Sequence, residues 1–499
     1  MLVTQATLVK VICFVVPVIV IYNFLYLSLV SLPHDEVGFN QSIHQVFRNW
    51  KSPTSSSNST SPNINQSSLY LQNFQQPRLA YVDAPSTLDR FFSSPNPVRK
   101  DYHEWNEKTL RDLHACMSLG NCGPNQMKVA LLADNWIQDA VVRDFRGGEG
   151  IWGMSMYKNL RELGYTTLFS SDFTETLFQY RMMPDLVKVI IRGETGKCHR
   201  DKDCVKGPEN QSGIPAWKLF EWSYWPNYRL GDSNCPMKGK WLLSANPDYA
   251  FTDFDSSPIQ YIGYSTEDTC TSIPIVPLEQ RKNQVWMLMK QLIYVYHNKF
   301  PWNRTYFPLV HEKLGIDFVG GWLLDKDYLG WGKDIQEEML NIEDHDDGVF
   351  NLGMQPANEF LDQVRSSKLM IGMANPHWSP SPIDALCLGV PFLNPISSWK
   401  EGDPWNKSHW DTQHPTLVEY DRPYVYHVHA KNFTGFLEAI ESAMTTPIGR
   451  FIPEHMTENA VKGRLTKLME TDWRAKAEET LKQNMKAVER GEEAYIFEL

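Results

Sequence analysis

The chain has 499 residues, with 48 Lys and Arg against 59 Asp and Glu, a formal net charge of −11. An acidic chain without a basic stripe excludes a nucleic-acid binder, which needs cations to displace the counterions of phosphate. Apolar residues at 42% and aromatics at 12% exclude a wholly disordered chain, and the length exceeds what a single hydrophobic core holds.

The first element is the uncharged run of residues 11–32, VICFVVPVIVIYNFLYLSLVSL. At about 1.5 Å per residue a helix of that length reaches roughly 33 Å, enough to cross a bilayer core. Pro17 is tolerable there, since a proline only kinks a lipid-embedded helix. Lys10 on one side and Asp35 and Glu36 on the other predict a cytosolic tail over 1–10 and a single-pass type II orientation. A cleaved leader is the alternative, but the run is longer than a signal's apolar region and Ser28-Leu-Val-Ser31 is a poor cleavage site. A retained signal anchor is the expectation. Residues 33–100 read as a stem: within 51–68, 15 of 18 residues are Ser, Thr, Asn or Pro, a composition that buries nothing.

Sequons begin at Asn40, Asn58, Asn65, Asn210, Asn303, Asn406 and Asn432, all on the side expected to be lumenal. Leaving aside Cys13 in the anchor and Cys387 in an apolar helix, six cysteines follow the stem, an even number that suits an oxidising compartment. In chain order they pair as Cys116 with Cys122, Cys198 with Cys204 and Cys235 with Cys270, and Cys387 is expected as a buried free thiol. The spacing within the two local pairs is too wide for a zinc site.

The folded part opens with a helical stretch near 104–117 and the strand Val129–Ala133. A turn with Gly147, Gly148 and Gly150 leads to a helix from about Trp152 to Leu163, ended by Gly164, and then the strands Tyr165–Phe169 and Leu186–Ile191. Strand, helix, strand with short turns is a βαβ pattern and implies a parallel sheet. Residues 194–245 are rich in Trp, Tyr, Pro, Gly and Cys and yield no regular element. A second α/β pattern starts with the strand Val285–Met289, the helical PLVHEKLG and the strand Ile316–Val319. It continues through helix Asn358–Arg365, strand Lys368–Gly372, helix Pro382–Leu388, strand Pro391–Leu393 and helices at 433–444 and 456–470, with a charged final helix in 472–491. The expected fold is α/β with two Rossmann-like lobes, 101–280 and 281–471, and a C-terminal helix in 472–499. Its ligand cleft should lie between the lobes at the carboxyl ends of the strands.

The sharpest local signal is Trp378-Ser-Pro-Ser-Pro-Ile-Asp-Ala-Leu-Cys-Leu-Gly-Val-Pro391. Pro382 can open a helix at no hydrogen-bond cost, with Ser379 and Ser381 in the preceding loop and Asp384 one turn in. Free N–H groups and the helix dipole then suit a phosphate, and Asp384 a ribose diol. An ordinary Pro-initiated helix with a solvated acid fits the same pattern. The segment resembles the nucleotide-binding helix of two-lobed (GT-B type) glycosyltransferases, and most of all glycosyltransferase family 18, the α-1,6-mannosylglycoprotein 6-β-N-acetylglucosaminyltransferases. The shared blocks are Pro380-Ser-Pro-Ile-Asp-Ala385, Phe392-Leu-Asn-Pro395, Gln413-His-Pro415, Arg422-Pro-Tyr-Val425 and Phe451-Ile-Pro453, with Gly239-Lys-Trp241 and Ser257-Pro-Ile-Gln-Tyr-Ile-Gly263 upstream. They recur in order across about 128–470.

The resemblance implies an inverting transfer from UDP-N-acetylglucosamine to the 6-hydroxyl of an α-mannose in an N-glycan, without a metal or other cofactor. The family's catalytic glutamate precedes its first long helix in a Gly-Glu turn, and counting back from Leu163-Gly164 puts Gly148-Glu149 there. Glu149 is the expected base, although a glutamate at a helix start also serves as a cap. The three glycines around it are expected to let backbone and acceptor approach closely. Lys290, where the family has Tyr-Gly-Lys, would neutralise the diphosphate, with Met289 replacing the glycine. Asp384 stands where the family has glutamate. Two acidic clusters, Asp253-Phe-Asp255 and Asp344-His-Asp-Asp347, have oxygen ligands suited to Mn²⁺ or Mg²⁺ but fall in loop patterns. The expectation is a Golgi type II glycosyltransferase acting on glycoprotein glycans. A different UDP-sugar or acceptor, or a membrane-anchored sugar-binding protein without turnover, are the alternatives.

Overall fold

The computed structural model describes residues 102–224, 235–247, 257–296, 298–322 and 348–499. The expected tail, anchor and stem, with Asn40, Asn58 and Asn65, lie outside these residues, as do the acidic clusters at 253–255 and 344–347. No helix among the described residues is long and apolar enough to cross a membrane.

The chain is a mixed α/β protein with two parallel sheets. In the first half, helix α1 (His103–Leu119) precedes β1 (Val129–Leu132), α2 (Asn135–Arg143), α3 (Gly148–Glu162), β2 (Thr166–Phe169), α4 (Phe173–Met182) and β3 (Val187–Arg192). Short strands β4 (Leu219–Ser223), β5 (Leu242–Ser244) and β6 (Gln260–Tyr261) follow, two of them in the stretch that gives no periodic signal. All neighbours run parallel in the order β2-β1-β3-β4-β5-β6. Every residue of β1 is buried, as a central parallel strand covered on both faces requires, which explains its unbroken apolar run Val-Ala-Leu-Leu.

The second half builds β7 (Gln284–Leu288), β8 (Asp317–Gly320), β9 (Val349–Asn351), β10 (Leu369–Gly372) and β11 (Phe392–Ser398). To these it adds the two-residue β12 (Asp411–Thr412) and β13 (Val425–His429). The parallel order is β9-β8-β7-β10-β11-β13, and β12 runs antiparallel to the end of β11. In both sheets the strand order reverses beside the first strand, between β1 and β3 and between β7 and β10. Crevices open at the carboxyl ends of such reversals.

A linker helix α5 (Glu267–Cys270) leads from the first sheet to the second. Helices α6 (Tyr306–Leu314), α7 (Ala357–Arg365), α8 (Ser381–Cys387) and α9 (Phe433–Thr445) belong to the second sheet's half of the sequence. The chain then returns. Helices α10 (Glu458–Glu470) and α11 (Trp473–Glu489) lie on the first lobe, α10 against α3. Lys462 pairs with Glu162 at 2.6 Å, Tyr165 Oη donates to Glu470 at 2.6 Å, and the Trp473 ring meets Phe220 at 4.8 Å and Trp241 at 5.5 Å. The second lobe therefore ends before Thr457, not at 471. The amphipathic pattern of 458–470 predicts a helix, but an apolar face does not say which sheet it covers.

Disulfides join Cys116 to Cys122 and Cys198 to Cys204. The third joins Cys270 to Cys387, not to Cys235. Cys270 ends α5 and Cys387 ends α8, two short helices that pack together, whereas Cys235 is a buried free thiol that desolvation pushes up to about 11. Partners 117 positions apart cannot be paired by chain order.

Candidate active site

On the first lobe, β1 ends at Leu132, and the Asp134 carboxylate caps α2 by accepting from the Trp136 N–H at 3.0 Å. It also accepts from the Gly193 N–H after β3, at 3.0 Å, so one side chain ties together the two loops at the strand reversal. Helix α3 begins at Gly148 rather than Trp152, which puts Glu149 in its first turn and not in a turn before it. The glycines are explained by packing inside the protein, not by room for an acceptor. A Cβ on Gly147 would lie 2.4 Å from the Phe145 ring, on Gly148 2.9 Å from the Tyr224 phenol, and on Gly150 2.3 Å from the Phe145 carbonyl. Tyr224, at the end of β4, is buried, and burial together with the Glu149 charge raises its phenol above the ordinary range. Its hydroxyl donates to the Trp378 carbonyl of the second lobe at 2.9 Å.

On the second lobe, Lys290 lies exposed two residues beyond β7. The loop from β10 to α8 carries a left-handed Ala374 (φ 70°) and Trp378 (φ 62°). Gln413 holds this loop: its Oε1 accepts from the Ala374 N–H at 2.9 Å and its Nε2 donates to the Pro376 carbonyl at 3.1 Å. A side chain on Gly372 would meet Gln413 Oε1 at 2.3 Å. Asn394 in turn exchanges two hydrogen bonds of 3.1 Å with the backbone of His414. Two of the recurring sequence blocks, Phe392–Pro395 and Gln413–Pro415, thus brace each other and the loop. Burial drives the His414 imidazole down to about 3, so it stays neutral.

Helix α8 opens at Ser381, with Pro382 buried in its first turn and off the cleft wall. It has only seven residues, so its dipole is short. Ser379 Oγ lies 3.2 Å from Ser381 Oγ, and both line the cleft. Asp384 is 7% exposed. Burial raises its carboxyl to about 7, against the lowering effects of the Thr266 hydroxyl and the Arg146 charge.

These side chains converge on one cavity of about 1060 Å³, lined by Arg146, Glu149, Lys290, Ser379, Ser381 and Asp384 among others. Glu149 and Tyr224 also line a second cavity of about 370 Å³ at the reversal of the first sheet, walled by Asp134, Trp136, Arg192 and Glu221. Glu149 therefore stands where the two spaces meet. Arg146, Thr266, Tyr224 and Gln413 are site residues that no single-residue signal announces. Only the Arg-Gly-Gly-Glu run and the Gln-His-Pro triplet hint at two of them. Among the described residues no group of three or more His, Cys, Asp or Glu is arranged to hold a metal ion.

Four sequons fall on described residues. Asn303, Asn406 and Asn432 are exposed at turns or helix starts, and the half-buried Asn210 receives a hydrogen bond from Arg181 at 3.2 Å.

Residues 334–487 match the model of glycosyltransferase family 18. Alpha-1,6-mannosylglycoprotein 6-beta-N-acetylglucosaminyltransferase A of Homo sapiens is 22% identical over 259 residues, 49% of this chain and 31% of that protein. The corresponding B protein of Mus musculus is 31% identical over 119 residues, 22% of this chain and 15% of that protein. The matches thus span less than a third of the length of these relatives. Among solved structures, Anabaena HepE in complex with UDP and glucose aligns over 72% of this chain and 100% of its own, with 11% identity and a TM-score of 0.36. A Methanocaldococcus jannaschii UDP-GlcNAc 2-epimerase in complex with UDP-GlcNAc and UDP aligns over 68% and 99%, with 9% identity and a TM-score of 0.36.

Proposed function

Because the chain is a distant member of glycosyltransferase family 18, we propose that it is a GT-B type, inverting glycosyltransferase that moves N-acetylglucosamine from UDP to the 6-hydroxyl of an α-mannose in N-glycans. The observation that carries this reading is the single cavity with Glu149 on one wall and Lys290, Ser379, Ser381 and Asp384 on the other. A nucleotide on the second wall would put its anomeric carbon towards Glu149, and an acceptor sugar would enter from the smaller cavity that Glu149 also borders.

In this scheme the mannose hydroxyl attacks the anomeric carbon as its bond to the β-phosphate oxygen breaks, and UDP departs with the electron pair. A sugar hydroxyl is a poor nucleophile at neutral pH, so the Glu149 carboxylate takes its proton as the new bond forms. Charge builds on the leaving diphosphate, where Lys290 neutralises it and the Ser379 and Ser381 hydroxyls offer hydrogen bonds. Asp384 faces the ribose. Most of the rate comes from holding hydroxyl and anomeric carbon in line within a closed cleft. No metal is required by the scheme.

The same reading sets the catalytic part in the Golgi lumen, behind an anchor at 11–32 and a stem. Three disulfides among the described residues support an oxidising compartment. A second reading, transfer of another UDP-linked sugar, is favoured by Asp384, a methylene shorter than the family's glutamate, and by Met289 in place of glycine.

The test is to incubate the purified chain with a panel of UDP-sugars and a bi-antennary N-glycan, with and without EDTA. The proposal expects transfer from UDP-N-acetylglucosamine that EDTA leaves intact and Glu149→Gln abolishes while UDP still binds. Preference for another donor selects the second reading, binding without turnover identifies a lectin, and loss with EDTA moves attention to the aspartates at 253–255 and 344–347.

A further inference from the structure

The segment between β11 and β12 carries Trp399, Trp405 and Trp410 within 12 residues, between two sequence blocks that brace the donor loop but belonging to neither. Strand β11 runs past its neighbours, and the chain comes back antiparallel, with Ile396 opposite Thr412 and Ser398 opposite Asp411. The three indoles gather around His429 at the end of β13. Their ring centroids lie 4.5, 4.8 and 6.0 Å from the imidazole, with interplanar angles of 78°, 85° and 81°. The excursion is fixed from beneath: Trp410 Nε1 and His429 Nε2 both donate to the Pro404 carbonyl at 2.8 Å, and Lys407 pairs with Asp421 at 3.0 Å.

On this rigid frame Trp405 stays 71% exposed and Trp399 38% exposed. Large indoles held in water by an ordered scaffold mark a binding surface. The rim is polar, with exposed Lys400, Glu401 and Asp403, so the surface alternates flat aromatic area with hydrogen-bonding groups. A pyranose has that complement, an apolar face of C–H bonds edged by hydroxyls. An apolar protein partner would call for a contiguous apolar patch instead. The surface also continues into the cleft wall. His377, which lines the cleft, donates from Nε2 to the Thr412 carbonyl at 2.9 Å, and the Trp378 N–H donates to the Gln413 carbonyl at 2.9 Å.

The geometry points to a second carbohydrate-binding surface, built from Trp399, Trp405 and Trp410, that holds a distal arm of the branched glycan whose reacting sugar occupies the cleft. This rests on the transferase reading for its ligand class: neutral hexose and N-acetylhexosamine units. The surface gives the protein a grip on the acceptor outside the reacting sugar.

The experiment is calorimetric titration of a free bi-antennary N-glycan and, separately, of UDP into the full chain carrying Glu149→Gln, alone and combined with Trp405→Ala or Trp399→Ala. The expected result is a loss of about fivefold or more in glycan affinity in each combined variant, the size of one aromatic contact. Glycan affinity unchanged in both overturns the inference. If glycan and UDP binding are lost together, Trp405→Tyr must restore both, and failure to do so overturns it as well. Asn406→Gln separates the other occupant: a gain in affinity for added glycan shows that the chain's own Asn406 glycan covers the surface and overturns the acceptor assignment, while an unchanged value supports it. Absence of UDP binding in the parent sinks the transferase reading and leaves the glycan titration to judge the surface separately.

Discussion

Asp384 is a site residue whose surroundings change its chemistry. Its carboxyl is raised from 3.8 to about 7 because burial penalises the anion. The folded state therefore holds a proton that the unfolded state releases, and this contribution is complete below pH 3.8 and lost as pH rises through about 7. Across that window it amounts to at most about 1.4 kcal/mol per pH unit. Asp384→Asn should flatten the fall of Tm with pH between pH 5 and 7, read by thermal scans of parent and variant; parallel curves would contradict it. Tyr224 acts by contact across the lobes. Tyr224→Phe removes its bond to the Trp378 carbonyl and should cost roughly 1 kcal/mol in chemical denaturation.

The loop between β10 and α8 shows how an element depends on a residue outside it. Gln413 satisfies a donor and an acceptor of that loop, so Gln413→Ala should cost about 1–3 kcal/mol and weaken UDP binding in the same variant. Stability lost with UDP affinity intact would separate the loop from the nucleotide. Helix α8 is also held at its far end by Cys270–Cys387, where the Arg450 guanidinium donates to both cysteine carbonyls, at 2.6 and 2.8 Å. Non-reducing peptide mapping should recover Cys270 linked to Cys387 and Cys235 alkylated, whereas a Cys235–Cys270 peptide would contradict this arrangement. Removing the bridge by Cys270→Ser with Cys387→Ser should lower stability by about 2–5 kcal/mol.

At the scale of the molecule, the two crossings between lobes are fastened to each other. Glu267 on the outward path accepts from the Glu458 N–H on the return at 2.7 Å, and Arg464 donates to the Ile262 carbonyl at 2.7 Å. Helices α10 and α11 therefore complete the first lobe, and a chain ending at Thr457 should lose its folded circular-dichroism signal, because Val461, Leu465 and Leu468 would no longer cover that core. The strands rich in Val, Ile and Leu were legible in the sequence because a buried parallel strand is apolar on both faces. The segment Ser379–Asp384 stands out in the sequence because a proline-opened helix follows a strand there, whereas Glu149 is singled out only by the family resemblance. Strands β4, β5 and β6 were not legible, since two to five residues give no period. The side of the molecule covered by α10, the partner of Cys387 and the roles of Gln413 and Tyr224 were not either. Each depends on contacts between distant positions that no local pattern encodes.

The most direct test is a crystal structure of the Glu149→Gln chain with UDP-N-acetylglucosamine. The account predicts the diphosphate within hydrogen-bond reach of Lys290 and the Ser379–Ser381 turn, and the anomeric carbon turned towards position 149. A nucleotide bound elsewhere, or a sugar pointing away from that side chain, would contradict it.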